Sequence, residues 1–438
     1  MVLLDGLGDQ GQPVLDGHTP LEAAHTPHLD LLAGMGMNGL LHPQLQGMAM
    51  PSELAHFLIL GYERADFPGR GYLEALGLDI PVKEGEVALL ARLLSVIPRG
   101  DHIILEEENP PVDPQTCRVL QNEIQRYSRL GVEIEFRPTG GVQGILLLKG
   151  EVSSGVTDSN PLYPGRPLLQ VLPLEGHQED PRAVKTARVL NDYLVWCHRK
   201  LDTHPLNQER RKGGLPPINA LGTQRAGEKR ELTPFREKWG LRGMSLASSP
   251  IYWGLARALG MEAVPVEDSG DPEKDLKDRL ILAYGARDFD FIHVHTKAPD
   301  EAAHTKDPWH KKEVIQALDR AMGVTLETMV GDPDVLLVVT SDHSTPSSGA
   351  MIHSGETVPL TMVGERVRRD RVERFNEVDC SQGALGLVRG RELMYLILSF
   401  MDRAQLQGLM DSPSPRAYTL GLSRPLTVKG SREGNHGS

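Results

Sequence analysis

The chain has 438 residues, of which 39% are hydrophobic and 24% are charged, a composition typical of a soluble globular protein. This length exceeds what one minimal core needs and predicts two domains. With 47 basic against 59 acidic residues the net charge is -12. Such a surface repels the phosphates of nucleic acids and anionic membranes, so neither is expected as a partner.

The cysteines are few and scattered, which bears on the cellular compartment. Cys117, Cys197 and Cys380 show no CxxC spacing, so the sequence predicts no disulfide framework and a reducing environment. No apolar run approaches the roughly 18 residues that a transmembrane helix needs. Asp5 comes too early for the apolar region of a signal peptide. We therefore expect a cytoplasmic protein.

The first segment, residues 1–80, predicts part of an α/β core. An apolar strand at its start ends in Asp5. Thr19-Pro20 is typical of a capped helix start, because proline is favoured at the first helical position. A second short helix is expected around Leu29 to Leu32, and Pro51-Ser52 leads into an apolar run that ends near Gly61.

The pattern of apolar runs changes in residues 81–229 and predicts an inserted α+β domain. Their strands are expected at His102 to Leu105, Val132 to Phe136 and Gly144 to Leu148. Helical periodicity is expected from Pro114 to Leu130 and from Ala183 to Leu201. A basic, Gly/Pro-rich stretch from Asn207 to Pro217 closes the segment.

Residues 230–425 return to α/β alternation and predict the second segment of the core. The expected elements are strands at Met244 to Ala247, Phe289 to Val294, Asp334 to Thr340 and Val358 to Val363, with helices at Pro250 to Leu259 and Gly390 to Met401. Residues 426–438 are rich in Ser, Gly and charge, which predicts a disordered tail. The fold class is therefore α/β, with a mainly parallel sheet flanked by helices.

Acids and imidazoles follow the ends of the predicted strands. Asp342 and His343 come directly after one apolar run, where open α/β sheets place their ligands. Asp300 and His304 follow another at i, i+4, on one face of a helical turn. Asp5 and His353 complete a set of three carboxylates and three imidazoles without cysteine, which favours Mn, Zn, Fe or Mg. Six ligands suit two ions roughly 3.5–4 Å apart, the spacing that serves phosphoryl transfer.

A nucleophile is needed beside such metals, and Ser52 is the candidate. Its hydroxyl would lie at a helix N-terminus, which favours anions, and a bound divalent cation would lower the hydroxyl's pKa. Taken singly, Ser52 is also typical of a helix cap, Asp5 of a turn and His353 of an ordinary loop histidine. Asp300 and His304 could form an exposed surface pair.

Several stretches together resemble a known family. They are Asp5-Gly6, Ser52-Glu53-x-x-His56, Asp300-Glu301-x-x-His304, Asp342-His343-Ser344-Thr345-Pro346 and His353-Ser354-Gly355. The chain resembles the alkaline phosphatase superfamily and, within it, the archaeal-type cofactor-independent phosphoglycerate mutases. The resemblance extends from residue 3 to about 400. It implies an alkaline-phosphatase-like core, with residues 81–229 as a cap over the substrate.

The resemblance also implies roles for individual residues. One divalent ion, Mn first among the alternatives, would be held by Asp300, His304 and His353, and a second by Asp5, Ser52, Asp342 and His343. Ser52 would become a phosphoserine while 3- and 2-phosphoglycerate interconvert without 2,3-bisphosphoglycerate. Lys297 would contact the substrate phosphate, with a plain surface lysine as the alternative. Substrate binding is expected of His56, Arg210, Arg211 and Arg225, although a basic run is usually a solvated face.

The pattern departs from that family around the substrate. Pro51-Ser52-Glu53 stands where the family has Gly-Ser-Asp, and Val142-Gln143 and Leu90 replace polar or basic cap positions. A phosphohydrolase or phosphotransferase acting on another small phosphorylated metabolite therefore stays open. A non-catalytic metal-binding protein is a third alternative, against which Ser52 and Lys297 argue. The sequence leaves the choice between monomer and homo-oligomer open.

Overall fold

The computed structural model describes residues 1–406 and 416–417 of the chain. The helices are α1 (Pro20–Ala23), α2 (Pro27–Met35), α3 (Ser52–Ile59), α4 (Arg70–Gly77), α5 (Pro114–Glu123), α6 (Pro181–Asp202), α7 (Pro205–Lys212), α8 (Phe235–Trp239), α9 (Pro250–Ala258), α10 (Pro272–Gly285), α11 (Ala298–His304), α12 (Pro308–Thr328), α13 (Glu377–Cys380) and α14 (Gly390–Phe400). Two short 3₁₀ turns lie at Pro13–Leu15 and Arg64–Asp66.

The strands belong to one large sheet, one smaller sheet and a terminal hairpin. They are β1 (Val2–Leu4), β2 (Met37–His42), β3 (Val87–Arg99), β4 (His102–Glu107), β5 (Arg126–Arg129), β6 (Val132–Gly140), β7 (Gln143–Lys149), β8 (Ala220–Glu228), β9 (Gly243–Ala247), β10 (Glu262–Pro265), β11 (Phe291–Thr296), β12 (Leu337–Thr340), β13 (Val358–Val363), β14 (Gly386–Arg389), β15 (Gln405–Leu406) and β16 (Arg416–Ala417).

The large sheet has the strand order β10-β9-β11-β1-β12-β13-β2-β14. Its strands run parallel from β10 to β12, and β2 pairs with β14 in parallel as well. Strand β13 is antiparallel to both of its neighbours. The predicted α/β class with a mainly parallel sheet is therefore confirmed.

Strand β1 lies inside this sheet and alternates between two apolar clusters. Val2 and Leu4 enter one cluster and Leu3 the other, because successive side chains point to opposite faces. Both faces are covered by helices, which explains why the strand reads as a continuous apolar run. Neighbours β11 and β12 flank β1, so the carboxyl ends of these three strands lie side by side.

The smaller sheet has the order β4-β3-β7-β6-β5, and β8 also pairs with β3. All of its described pairings are antiparallel. Its strands lie between Val87 and Glu228, inside the predicted inserted segment 81–229. Residues of α5 and α6 share its apolar core, while Ala75 of α4 packs against Ala88, Ile145 and Leu147.

Most of the predicted elements are confirmed, but the helix expected from Pro114 to Leu130 is wrong in its second half. Helix α5 ends at Glu123, and β5 pairs with β6 through a two-residue turn. Leu130 and Gly131 both have positive φ, 53° and 75°, the turn geometry that joins antiparallel strands. A Leu-Gly pair is equally typical of a helix end, which is what the periodicity before it predicts.

Several elements were missed, among them β2, β3 and β8, α4, α10 and the helix α7 within the basic stretch. Strand β3 runs for 13 residues without regular alternation because it is buried along most of its length. The predicted tail, residues 426–438, lies outside the described residues. In the described part of the chain, no helix combines the length and the apolar character that crossing a membrane requires.

Candidate metal centre and nucleophile

The site lies at the carboxyl ends of three neighbouring strands. Asp5 follows β1, Asp342 follows β12, and β11 leads through Lys297 into α11, which carries Asp300. Because parallel strands end at the same edge of a sheet, the three acids converge. The three predicted carboxylates are thus brought together by the sheet order alone.

A glycine permits the closest approach at this edge. Gly6 has φ +65°, and a Cβ built on it would lie 2.7 Å from the Cβ of Asp300 and 2.6 Å from Oγ1 of Thr345. Only glycine adopts this backbone without cost and leaves that space. The loop after β1 can therefore lie directly against the loop that carries Asp300.

Four side chains, which we call the Ser52 group, surround the candidate nucleophile: Asp5, Ser52, Asp342 and His343. Ser52 Oγ lies 2.8 Å from His343 Nε2 and 3.5 Å from Asp5 Oδ1. His343 Nε2 is 3.2 Å from Asp342 Oδ2 and 3.5 Å from Asp5 Oδ1. All four side chains are buried.

A second set, which we call the Asp300 group, consists of Asp300, His304 and His353. His304 Nε2 lies 3.3 Å and His353 Nε2 3.5 Å from Asp300 Oδ1. Lys297 Nζ lies 3.1 Å from Asp300 Oδ2. The rings of His343 and His353 stack with centroids 3.9 Å apart, so the two groups adjoin.

Hydrogen bonds fix which nitrogen of each imidazole can bind a metal. His353 Nδ1 lies 2.8 Å from the carbonyl oxygen of Met50, which can only accept. His343 Nδ1 lies 3.1 Å from Thr345 Oγ1, and that hydroxyl donates to Asp300 Oδ1 at 2.8 Å. These contacts place a proton on Nδ1 of both rings, so Nε2 is the nitrogen that each ring offers to a cation when it gives up its own proton.

The charges of the site stabilise its ionised acids. Burial opposes ionisation of Asp5, but Lys297, His295 and His343 outweigh it and hold the pKa of Asp5 well below its usual range. Burial is likewise outweighed at Asp300, where His304, His353 and Lys297 lower the pKa. Burial opposes the charge of Lys297, yet Asp5 and Asp300 raise its pKa above the usual range. Asp5 and Asp300 are therefore carboxylates, and Lys297 is an ammonium.

These residues fit divalent cations. Ligand atoms lie within 4.8 Å of one another in three sets: Asp5 with Asp342 and His343, Asp300 with His343 and His353, and Asp5 with His56 and His295. The buried oxygen Asp342 Oδ2 accepts no hydrogen bond from the described residues, and Asp300 Oδ2 faces the Lys297 ammonium at 3.1 Å. Buried carboxylate oxygens beside imidazole nitrogens are the donors that such ions use.

The structure places His56 away from any open cleft. It is buried in α3, with Nδ1 2.8 Å from the carbonyl oxygen of Ser52 and 3.3 Å from Asp342 Oδ2. Its ring packs on those of Tyr252, His293 and His295. The substrate contact expected of His56 stays a prediction, since the structure shows only that its side chain is buried beside Asp342.

The three arginines predicted to bind substrate from the cap differ in their surroundings. Arg210 donates to the carbonyl oxygens of Pro216 and Pro111, and Arg211 bonds with Asp202. Both guanidiniums bond to residues within 81–229, and the substrate role expected of them stays a prediction. Their basic run forms helix α7, whose guanidiniums hold the local structure.

Arg225, by contrast, reaches the site. Its Nη1 lies 3.4 Å from Oε1 of Glu53, the buried residue after Ser52. Arg70 Nη1, on α4, lies 3.6 Å from the other oxygen of Glu53. Arg225 has φ 54°, an uncommon backbone conformation for a residue with a side chain. The guanidiniums of Arg70 and Arg225 thus both lie beside Glu53, the residue that follows the candidate nucleophile.

Some partners of the candidate ligands were not predicted from the sequence. Thr345 bonds Asp300, while Tyr252 and His295 both bond Asp5. His295 could have been predicted, because imidazoles at 293 and 295 are unusual in an apolar strand that is buried on both faces. Tyr252 could not have been predicted, because an aromatic residue in an amphipathic helix is usually part of the hydrophobic core.

Carboxylates and imidazoles at the strand ends of a mainly parallel sheet define a metal-dependent α/β enzyme, and comparisons with known proteins agree. Residues 1–400 match the family model described as the Metalloenzyme superfamily. The 2,3-bisphosphoglycerate-independent phosphoglycerate mutase 2 of Methanocaldococcus jannaschii is 39% identical, over 95% of this chain and 96% of that protein. The corresponding mutase of Methanopyrus kandleri is 34% identical, over 93% and 97%.

Solved structures agree as well. A protein from Pyrococcus horikoshii has a TM-score of 0.75 at 28% identity, covering 93% of this chain and 98% of its own. The cofactor-independent phosphoglycerate mutase from Thermoplasma acidophilum has a TM-score of 0.60 at 27% identity, covering 91% and 98%. The chain therefore belongs, within the metalloenzyme superfamily, to the 2,3-bisphosphoglycerate-independent phosphoglycerate mutase family.

Proposed function

We propose that the chain is a metal-dependent phosphoglycerate mutase that interconverts 3- and 2-phosphoglycerate through a phosphoserine at Ser52, without 2,3-bisphosphoglycerate. One observation carries the proposal. Ser52 Oγ lies within 2.8 Å of His343 Nε2 and 3.5 Å of Asp5 Oδ1, at the first residue of α3. The relatives named above carry this activity in their names.

Two divalent ions would occupy the ligand sets, Mn²⁺ first among Mn, Zn, Mg and Fe. One would be held by Asp300, His304 and His353, and the other by Asp5, Ser52, Asp342 and His343. When bound, such ions lower the pKa of a nearby hydroxyl and neutralise charge on a phosphoryl group. The donor set of oxygen and nitrogen atoms without sulfur supports these metals.

The residues would divide the reaction between them. Ser52 Oγ attacks the phosphorus of 3-phosphoglycerate, and the bond from phosphorus to the 3-oxygen breaks. The 2-hydroxyl of the retained glycerate then attacks the phosphoserine, and Ser52 is released. Lys297, an ammonium 3.1 Å from Asp300 Oδ2, would stabilise the negative charge that the phosphoryl group carries in transit.

Residues 81–229 would act as a cap that keeps water from the phosphoserine. Arg225 is our candidate for the carboxylate of glycerate, because its guanidinium already lies beside Glu53 at the nucleophile and suits a carboxylate. A small phosphorylated metabolite is the expected partner. The cytoplasmic location remains a prediction from the scattered cysteines, which are all free and buried.

The test is a turnover assay that measures two products at once. Purified full-length protein is stripped with a chelator, resupplied with Mn²⁺ and given 3-phosphoglycerate without 2,3-bisphosphoglycerate. We expect 2-phosphoglycerate to form only after metal is returned, with little inorganic phosphate. Rapid phosphate release without 2-phosphoglycerate would contradict the mutase and identify a phosphohydrolase. Ser95→Ala, a buried serine of the smaller sheet bonded to Glu106, should keep the wild-type rate.

A further inference from the structure

The carboxylate of Asp5 has two oxygens with different surroundings. Oδ2 accepts a hydrogen bond from the hydroxyl of Tyr252 at 2.6 Å and lies 3.0 Å from His295 Nε2. Oδ1 faces the other way, 3.5 Å from both Ser52 Oγ and His343 Nε2. Both oxygens are shielded from solvent, since Asp5 and His295 are 0% exposed and Tyr252 is 2% exposed.

The two contacts on Oδ2 leave it no capacity for a metal. An ionised carboxylate only accepts, so His295 Nε2 must carry the proton that points at Asp5. A carboxylate oxygen offers about two lone-pair directions, and the Tyr252 hydroxyl and the His295 N–H use both. Oδ1 is then the one oxygen of Asp5 that a cation beside Ser52 can reach.

Both donors are held by the fold independently of any cation. His295 stands opposite Leu3 in the pairing of β11 with β1, two residues before Asp5. Tyr252 lies in the first turn of α9, and its ring packs on that of His295 with centroids 3.9 Å apart. The carboxylate is therefore oriented before a metal arrives, as outer partners commonly orient metal ligands.

We propose that Tyr252 and His295 are positioning residues that restrict Asp5 to binding a cation through Oδ1 alone and thereby set the affinity of the metal position beside Ser52. The inference rests on the proposed role of Asp5 as a metal ligand. In this proposal the third set of ligand atoms, Asp5 with His56 and His295, does not hold an ion. The imidazoles of His295 and His56 instead contact the candidate ligands Asp5 and Asp342.

The test measures metal binding without turnover. Chelated full-length protein is titrated with Mn²⁺ by calorimetry, and bound metal is counted. In Tyr252→Phe the ring stays and the donor is lost, so we expect the dissociation constant of one of two ions to rise about 10- to 100-fold, with the other unchanged. In His295→Gln, whose amide keeps a donor near the position of Nε2, the dissociation constant of that ion should rise less.

The matched control is Tyr193→Phe. Tyr193 is also fully buried, and its hydroxyl donates one hydrogen bond, to the carbonyl oxygen of Ile124 at 2.7 Å, but it lies in the smaller sheet's core. The Tyr193→Phe protein should bind both ions with the dissociation constants of the wild type. Equal dissociation constants in Tyr252→Phe and Tyr193→Phe would overturn the proposal. So would a third bound ion that His295→Gln removes, since His295 would then be a ligand.

Two further results keep the inference separate from its premise. If Asp5→Asn binds two ions with wild-type affinity, Asp5 is not a ligand and the metal assignment fails. If Asp5→Asn loses one ion while Tyr252→Phe and His295→Gln do not weaken it, the assignment stands and the positioning role fails. Either result is independent of whether the protein turns over 3-phosphoglycerate.

Discussion

Glu377 is a carboxyl behind the loops that carry the candidate metal ligands. It accepts hydrogen bonds from the hydroxyl of Thr19 at 2.9 Å and the N–H of Asp9 at 3.3 Å. Burial raises its pKa from 4.5 to about 7, although these hydrogen bonds and the nearby ammonium of Lys311 oppose the change. Folded protein therefore keeps a proton there that the unfolded chain releases.

This difference predicts a pH dependence of stability. Because the folded-state pKa lies above the unfolded one, the contribution is complete below about pH 4.5 and is lost as pH rises through 7. Glutamine stays neutral, so the free energy of unfolding of wild type should fall relative to Glu377→Gln by roughly 2–3 kcal/mol between those pH values. Denaturant unfolding at pH 5 and 7.5 measures this.

Exposed Glu373, in the same segment, supplies the control. Glu373→Gln should track the wild type at both pH values, since its side chain is exposed. A constant difference between wild type and Glu377→Gln across the range would contradict a carboxyl that gains its proton on folding.

The residue scale also shows what sequence can and cannot reveal about the site. Asp5, Asp300, Asp342 and His343 were recognisable because each follows an apolar run of strand length, and strand ends are where such sheets hold ligands. Tyr252 was not, since its role depends on α9 bringing a hydroxyl to an oxygen 247 residues away. No local pattern encodes that contact.

Helix α12 joins two ligand-bearing loops through one buried lysine. Lys311 is 0% exposed and donates to the carbonyl oxygens of Gly8 and Thr345, each at 2.8 Å, and to Asp9 Oδ2 at 3.1 Å. Gly8 belongs to the loop after Asp5, and Thr345 to the loop after Asp342. The ammonium therefore fixes the two loops against each other.

We expect Lys311→Met to destabilise the fold strongly. It removes one partner of a buried ion pair and takes the ammonium away from Asp9 and from two carbonyl oxygens, which typically costs about 3–5 kcal/mol. Lys312→Met, the next and more exposed residue, should stay within about 0.5 kcal/mol of wild type. Denaturant midpoints at constant slope give both values. A Lys311→Met protein as stable as Lys312→Met would contradict this description of α12.

At the element scale, local signals predicted much of the core and less of the smaller sheet. Thr19 and Pro20 predicted the start of α1. In the structure the Thr19 side chain accepts a hydrogen bond from the N–H of Glu22, and the Glu22 side chain accepts one from the N–H of Thr19. Strand β5 was hidden, because Leu130-Gly131 serves equally as a helix end or a hairpin turn. Only the pairing with β6, a non-local contact, decides between them.

On the scale of the whole molecule, residues of the two sheets' domains come together beside the candidate nucleophile Ser52. Glu53 follows Ser52 in the large-sheet core, and Arg225 of β8 belongs to the smaller sheet. The altered position Leu90 packs beside Ala88 and Ile145 in an apolar cluster and offers no charge to a substrate. Arginines beside Glu53 are therefore the cations best placed to take over substrate recognition in our proposal.

Phosphoryl transfer through Ser52 is tested most directly by trapping the intermediate. Metal-loaded protein is mixed with 3-phosphoglycerate, quenched in acid within the first turnovers and analysed by mass spectrometry of its peptides. We predict a phosphorylated peptide at Ser52 that requires metal, together with loss of 2-phosphoglycerate formation in Ser52→Ala. Formation of 2-phosphoglycerate by folded, metal-loaded Ser52→Ala would contradict the account.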